Sequence, residues 1–113
     1  MPIPVLNNIG ELPPGEYGVT LDEIEYRFGR TNPKRRALMR GLRRAAENLA
    51  QAGVRKIWID GRFVTDKKRP NDIDGVWEAH EHIDCSILDP AFFQINRDGE
   101  PKGILVVRLE NNA

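Results

Sequence analysis

Apolar residues fall at Leu38, Leu42, Ala45, Ala46 and Leu49, a three- and four-residue spacing that gathers them on one side of a helix, while Arg36, Arg40, Arg43, Arg44 and Glu47 take the remaining positions. The pattern begins at Asn32-Pro33, where an Asn side chain can cap free amides and a proline in the first turn loses no hydrogen bond; it ends at Gly53. This is predicted to be the longest element, packed on a sheet. Upstream, Thr20-Leu21-Asp22-Glu23 has the spacing of a capping box, which predicts a short helix to about Phe28 with Gly29 as its stop. Residues 7–19, containing Pro13-Pro14-Gly15, read as an irregular arm leading to that helix.

Downstream the period changes. Val54 to Asp60 alternates, with Ile57 and Ile59 on one side and Trp58 and Asp60 on the other, and Gly61 closes this strand. After a polar connection containing Lys67-Lys68-Arg69-Pro70-Asn71, the run Asp72-Ile73-Asp74-Gly75-Val76-Trp77 reads as a second strand with both Asp side chains on one face. His82 to Leu88 is expected to form a third strand, Asp89-Pro90 a turn into a short helix through Phe92-Phe93, and Arg97-Asp98-Gly99-Glu100-Pro101 a further turn. Ile104 to Leu109, β-branched and apolar, is predicted to be a final strand in the centre of the sheet. Trp58 and Trp77 are expected in the core. Together these elements predict an α/β (α+β) fold, a single domain with a small mixed sheet of three to five strands and helices mainly on one face.

Composition agrees with this reading. A chain of 113 residues supplies one core, and its 30% charged and 40% apolar residues are in globular balance. No stretch approaches the roughly 18 apolar residues of a membrane span, and Met1-Pro2-Ile3-Pro4-Val5 lacks the basic flank and apolar run of a secretion signal, so a soluble cytoplasmic protein is expected. Cys85 is the only cysteine, which excludes an internal disulfide and a cysteine-based zinc site; it is expected to be a buried, inert thiol.

The net charge of zero conceals a strong segregation. Residues 1–26 carry five acids and no bases, residues 27–56 ten bases and one acid, and residues 57–113 seven bases and eleven acids. A basic helix beside an acidic remainder either binds phosphates or nucleic acid, or balances carboxylates within the fold.

Candidate chemistry concentrates after the first predicted strand. Asp72 and Asp74, two same-face carboxylates, offer the hard oxygen ligands that suit magnesium or manganese, and Gly61 precedes them by a ten-residue connection. Lys67-Lys68-Arg69 would overhang that pair. His80-Glu81-His82 with Asp84 is a second candidate cluster for a transition metal, the alternative being an exposed turn.

Ile59-Asp60-Gly61-Arg62-Phe63-Val64 followed by Pro70-Asn71-Asp72-Ile73-Asp74-Gly75 resembles the signature of polymerase-beta-type nucleotidyltransferases, in which a strand ends in Gly-Ser, a helical turn follows, and Asp-x-Asp lies on the next strand. Leu12-Pro13-Pro14-Gly15, Thr20-Leu21-Asp22-Glu23, Arg27-Phe28-Gly29, Pro33, Leu88-Asp89-Pro90, Phe92-Phe93-Gln94 and the run Arg97 to Gly103 are similar to a group of bacterial and phage nucleotidyltransferase-like proteins. The resemblance implies that Asp72 and Asp74 hold Mg2+ or Mn2+ on a nucleoside triphosphate, and that Gly61 and the turn after it meet the phosphates. A nucleoside monophosphate would pass to a macromolecular hydroxyl on a protein or RNA acceptor, as in toxin-antitoxin or phage-defence modules. Arg62 stands where the pattern has Ser, and would either pair with a phosphate or bridge to Asp72 or Asp74 in an inactive, partner-binding copy of the fold. Glu110 and Asp84 are the candidates for a third carboxylate.

Overall fold

Thr20 starts the first helix as its spacing demands. Its hydroxyl accepts from Glu23 N at 3.1 Å, and the Glu23 carboxylate accepts from Thr20 N at 2.8 Å, so two of the free amides at the helix start are satisfied. In the computed structural model, which describes residues 3–71, 73–78, 81–84, 86–87 and 103–109, this helix is α1, Leu21–Phe28. Asn32 caps the second helix, α2, Pro33–Gln51, by accepting from Arg35 N at 2.9 Å. Gly53, at φ +100°, lies just beyond the end of α2.

Four strands form one mixed sheet: β1 (Gly15–Gly18), β2 (Lys56–Asp60), β3 (Asp74–Trp77) and β4 (Gly103–Arg108), in the spatial order β1-β4-β2-β3. β1 runs parallel to β4, while β2 is antiparallel to both β4 and β3. β4 is thus central, as its apolar run requires, with Leu105, Val106 and Val107 all buried. Both helices lie on the sheet face that carries Ile57, Ile59, Leu105 and Val107. Ile24, Phe28, Met39, Leu42, Ala46 and Leu49 complete that core.

Three expectations are corrected. The arm is not irregular throughout: β1 lies within it, and Ile3 and Leu12 are buried in the core. Its local composition, Gly-Glu-Tyr-Gly after two prolines, carries little strand signal, and the pairing partner that makes it a strand is remote in sequence. The described residues between His82 and Ile87 form turns rather than a strand. The Asp84 carboxylate accepts from Ser86 N at 3.0 Å and Ser86 Oγ at 2.6 Å, and this local bonding replaces a ladder.

The third correction concerns the tryptophans, which sit on opposite faces of the sheet. Trp77 pairs with Ile57 and packs against the helix-side core; Trp58 pairs with Val76 and Val106 on the other face, half-buried, with Lys56 Nζ 4.9 Å from its ring centroid. The turn and short helix expected between Asp89 and Pro101, together with Cys85, lie outside the described residues.

The buried stripe of α2 is also rotated slightly from the predicted one, because Arg35 and Met39 are buried while Leu38 and Ala45 lie at its margin. Among the described residues no helix is long and apolar enough to cross a membrane.

Candidate functional site

The β2–β3 pair determines the geometry at its loop end. Asp60 lies directly opposite Asp74 in the antiparallel register, which places the two carboxylates on one face of the sheet, the face away from the helices and shared with Trp58 and Lys56. Gly61 follows Asp60 at φ +86° and ψ −170°, a conformation nearly restricted to glycine. The chain turns there into a single 3₁₀ turn, Arg62–Val64, whose Phe63 and Val64 anchor the loop in the core. Asp74 comes back so close that a β-carbon on residue 61 would stand 2.6 Å from its Oδ2. A side chain at 61 would fill the space the Asp74 carboxylate occupies.

The loop between β2 and β3 is held by a residue that pattern reasoning overlooked. Arg35, buried in the first turns of α2, donates from Nη1 to the carbonyls of Phe28 at 3.0 Å and Phe63 at 2.6 Å, and from Nη2 to those of Thr65 at 2.8 Å and Lys67. Burial pushes the guanidinium down from its ordinary value while Asp66 raises it, and it remains a cation matched to four carbonyl dipoles. Asn32 Nδ2 adds a bond to the Lys68 carbonyl at 2.6 Å. The backbone of Lys67 and Lys68 is therefore tied to the start of α2, with the side chains of Lys68 and Arg69 exposed. A polar residue at a position of helical core periodicity was the available sign of Arg35.

Among the residues expected to form the site, Gly61 and Asp74 are in contact. Arg62 is exposed and makes no ion pair with Asp74 or with any other described residue. Asp72 and Glu110 lie outside the described residues. Asp84 is at the far end of α2, where its N–H donates to the Ala52 carbonyl at 2.8 Å and its carboxylate is engaged by Ser86, so it does not join Asp74. His80 lies outside the described residues, and His82 is exposed, 3.5 Å from Glu81. Asp60, the carboxylate that does face Asp74, was legible only as a member of the alternating strand.

Among the described residues no three His, Cys, Asp or Glu side chains are placed to share a cation. Two carboxylates in cross-strand register nonetheless suit magnesium, which keeps several waters and takes one or two carboxylates together with substrate phosphates.

The basic helix divides into distinct roles. Arg35 is internal, and Arg43 bonds to Asp22 at 2.6 Å and Glu25 at 2.7 Å on α1, which is the charge-balancing role expected of the segregation. Arg36, Arg40 and Arg44 remain exposed.

A family model covers most of this architecture, matching residues 4–89. The chain belongs to the DUF6932 family. It is described as a family of unknown function, and the matched span takes in β1, both helices, the β2–β3 pair and the turns after it. No curated protein and no solved structure matches the chain. In this family member, Gly61, Asp60, Asp74 and the Arg35 clasp all lie inside the matched span.

Proposed function

We propose that the chain is a nucleotidyltransferase-type protein that binds a nucleoside triphosphate with Mg2+ or Mn2+ at the loop end of β2 and β3 and transfers the nucleoside monophosphate to a macromolecular hydroxyl. The observation that carries the reading is the fit of the Asp74 carboxylate against the bare backbone of Gly61, opposite Asp60. Asp60 and Asp74 would hold the metal, with Asp72 two residues before Asp74 as a further ligand. When bound, the metal supplies neutralisation of the oxygens on which charge collects in phosphoryl transfer.

The chain's own groups have separate roles. Gly61 lets the Asp74 carboxylate close against the backbone at the start of the 3₁₀ turn, which would set where a metal and the phosphates it carries lie. Arg62, exposed and without an ion pair among the described residues, would donate two parallel hydrogen bonds to a phosphate. Arg35 keeps the loop in place from behind without touching the substrate. The acceptor is a protein or an RNA, and the compartment is the cytoplasm, where nucleoside triphosphates are supplied.

A second reading follows from the long cation at position 62 and the two-carboxylate set among the described residues: a fold that has lost transfer chemistry and serves a toxin-antitoxin or phage-defence module as a partner-binding unit. Calorimetric titration of each nucleoside triphosphate with Mg2+ or Mn2+ into the parent, Asp74→Ala and Arg62→Ser separates the two. Metal-dependent binding that is lost in Asp74→Ala supports the transferase reading. Absence of binding by the parent, restored in Arg62→Ser, would favour the partner-binding one.

A further inference from the structure

The unabsorbed feature of greatest extent is the exposed side of the helical layer. Arg36, Arg40 and Arg44 recur every fourth residue on α2 and are all exposed, so they form one row about 12 Å long at 1.5 Å rise per residue. Neither the Arg40 nor the Arg44 side chain has a hydrogen bond or ion pair among the described residues; the Arg36 guanidinium donates to the Arg30 carbonyl, at 3.2 Å. The nearby carboxylates Asp22 and Glu25 bond to Arg43 rather than to the row, and Glu47 stands exposed one turn beyond Arg44, so positive charge is most concentrated from Arg30 to Arg40.

An aromatic residue stands at one end of the row. Tyr26 is 63% exposed, which leaves its ring open to an external partner. Arg30 lies over this ring at 4.1 Å and is fixed there by a bond from its Nε to the Tyr26 carbonyl at 2.8 Å. The Arg36 bond to the Arg30 carbonyl joins this stack to the row. At the same end of α2, the Asn32 bond to the Lys68 carbonyl brings a further exposed cation alongside.

We propose that this edge, from Tyr26 and Arg30 along Arg36, Arg40 and Arg44, binds a single-stranded polynucleotide, with the arginines on successive phosphates and a base stacked on the Tyr26–Arg30 pair. Evenly spaced guanidinium groups suit a phosphate backbone through paired donors. An exposed aromatic beside them is the other half of the combination by which single strands are held. Duplexes keep their bases stacked inside, so the ring selects for an open strand. The surface is separate from Asp60 and Asp74, and the inference does not depend on nucleotidyl transfer.

The test is fluorescence anisotropy of labelled short oligouridine and oligodeoxythymidine with the full chain in EDTA, without nucleoside triphosphate, across a potassium chloride series. Binding to RNA, DNA or both is expected, and whichever backbone binds more tightly identifies the strand. Replacing all three arginines with Gln should reduce the slope of log affinity against log salt by about 2, from about 0.7 per phosphate contact on a single strand. Replacing them with Lys should retain most of that slope, and circular dichroism confirms that each variant is folded. Tyr26→Leu should weaken binding by about fivefold or more with the slope unchanged. No binding at low salt, or an unchanged slope in the Gln variant, would overturn the proposal. Unaltered affinity in Tyr26→Leu would exclude the stacked single strand, and displacement by polyglutamate as effective as by unlabelled oligonucleotide would reassign the surface to an acidic protein.

Discussion

The backbone of Gly61 and the carboxylate of Asp74 occupy adjoining space, so that a single β-carbon on residue 61 would reach within 2.6 Å of Asp74 Oδ2. Gly61→Ala therefore incurs two costs, a positive φ that L residues avoid and a steric conflict with the carboxylate. The expected loss is about 3 kcal/mol in urea unfolding, of which about 1–2 kcal/mol belongs to the backbone alone. In an Asp74→Ala background the same substitution should cost less, since the carboxylate is gone while φ is unchanged. Equal costs in the two backgrounds would mean that the two residues do not press on one another.

Arg35 makes a stronger demand on stability than any other charged residue described. Its fork satisfies carbonyls from the end of α1 and from three points on the loop after β2, so removing it leaves buried acceptors without donors. Arg35→Met is expected to destabilise by about 3 kcal/mol. Arg35→Lys should recover only part, because an ammonium cannot span both pairs of carbonyls. Faster amide exchange should appear first at Thr65 to Lys67, and protection there equal to that of the parent would argue against the clasp.

The two N-caps should differ in cost. Thr20→Ala removes one side-chain acceptor at an exposed helix start, worth about 1 kcal/mol. Asn32→Ala removes a cap of the same kind and also the bond that its amide donates to the Lys68 carbonyl, so a loss nearer 2 kcal/mol is expected. Asn32→Asp, which keeps the cap acceptor and loses the amide donor, should fall between them in thermal unfolding.

How much of this was legible in the sequence depends on the range of the interaction concerned. Thr20, Asn32, Gly53 and Gly61 act within a few residues of themselves, and their helix ends and strand end fall close to where the spacing predicts. β1 escaped because Tyr17 finds Leu105 only through the fold, and no local alternation marks four residues bounded by glycines. Arg35 resembled its exposed neighbours; its spacing from Met39 and Leu42 was the one sign of burial, and the carbonyls it serves lie on a loop remote in sequence. The proximity of Gly61 and Asp74 was implied by the motif, but the role of Asp60 rests on the hairpin register that sets it opposite Asp74. Asp84 was misread for the opposite reason: it was placed within an expected strand, while its short side chain bonds locally to Ser86.

Arg43 provides the contrast to Arg35. It contacts two carboxylates, but all three side chains are substantially exposed, so water and salt screen the attraction. Arg43→Gln is expected to cost less than about 1 kcal/mol at low ionic strength and less again in molar salt. A salt-independent loss of several kcal/mol would mean that the triad acts through packing.

Asp84 predicts a pH response with a defined sign. Hydrogen bonds from the Ser86 hydroxyl and amide hold its carboxyl below the usual aspartate range, against a small opposing effect of burial. A carboxyl with a depressed folded-state value contributes its stability above the unfolded value of about 3.9 and loses it as pH falls through the folded one. The turn from Asp84 to Ile87 should therefore hold at neutral pH and open only below about pH 4. The bond from Asn48 Nδ2 to the Ile87 carbonyl should weaken with it. Carboxyl carbon shifts followed by NMR should show Asp84 titrating below a reference aspartate, and Asp84→Asn should abolish the acid-dependent change at Ile87. Titration of Asp84 at or above the reference would remove the turn as a source of acid sensitivity.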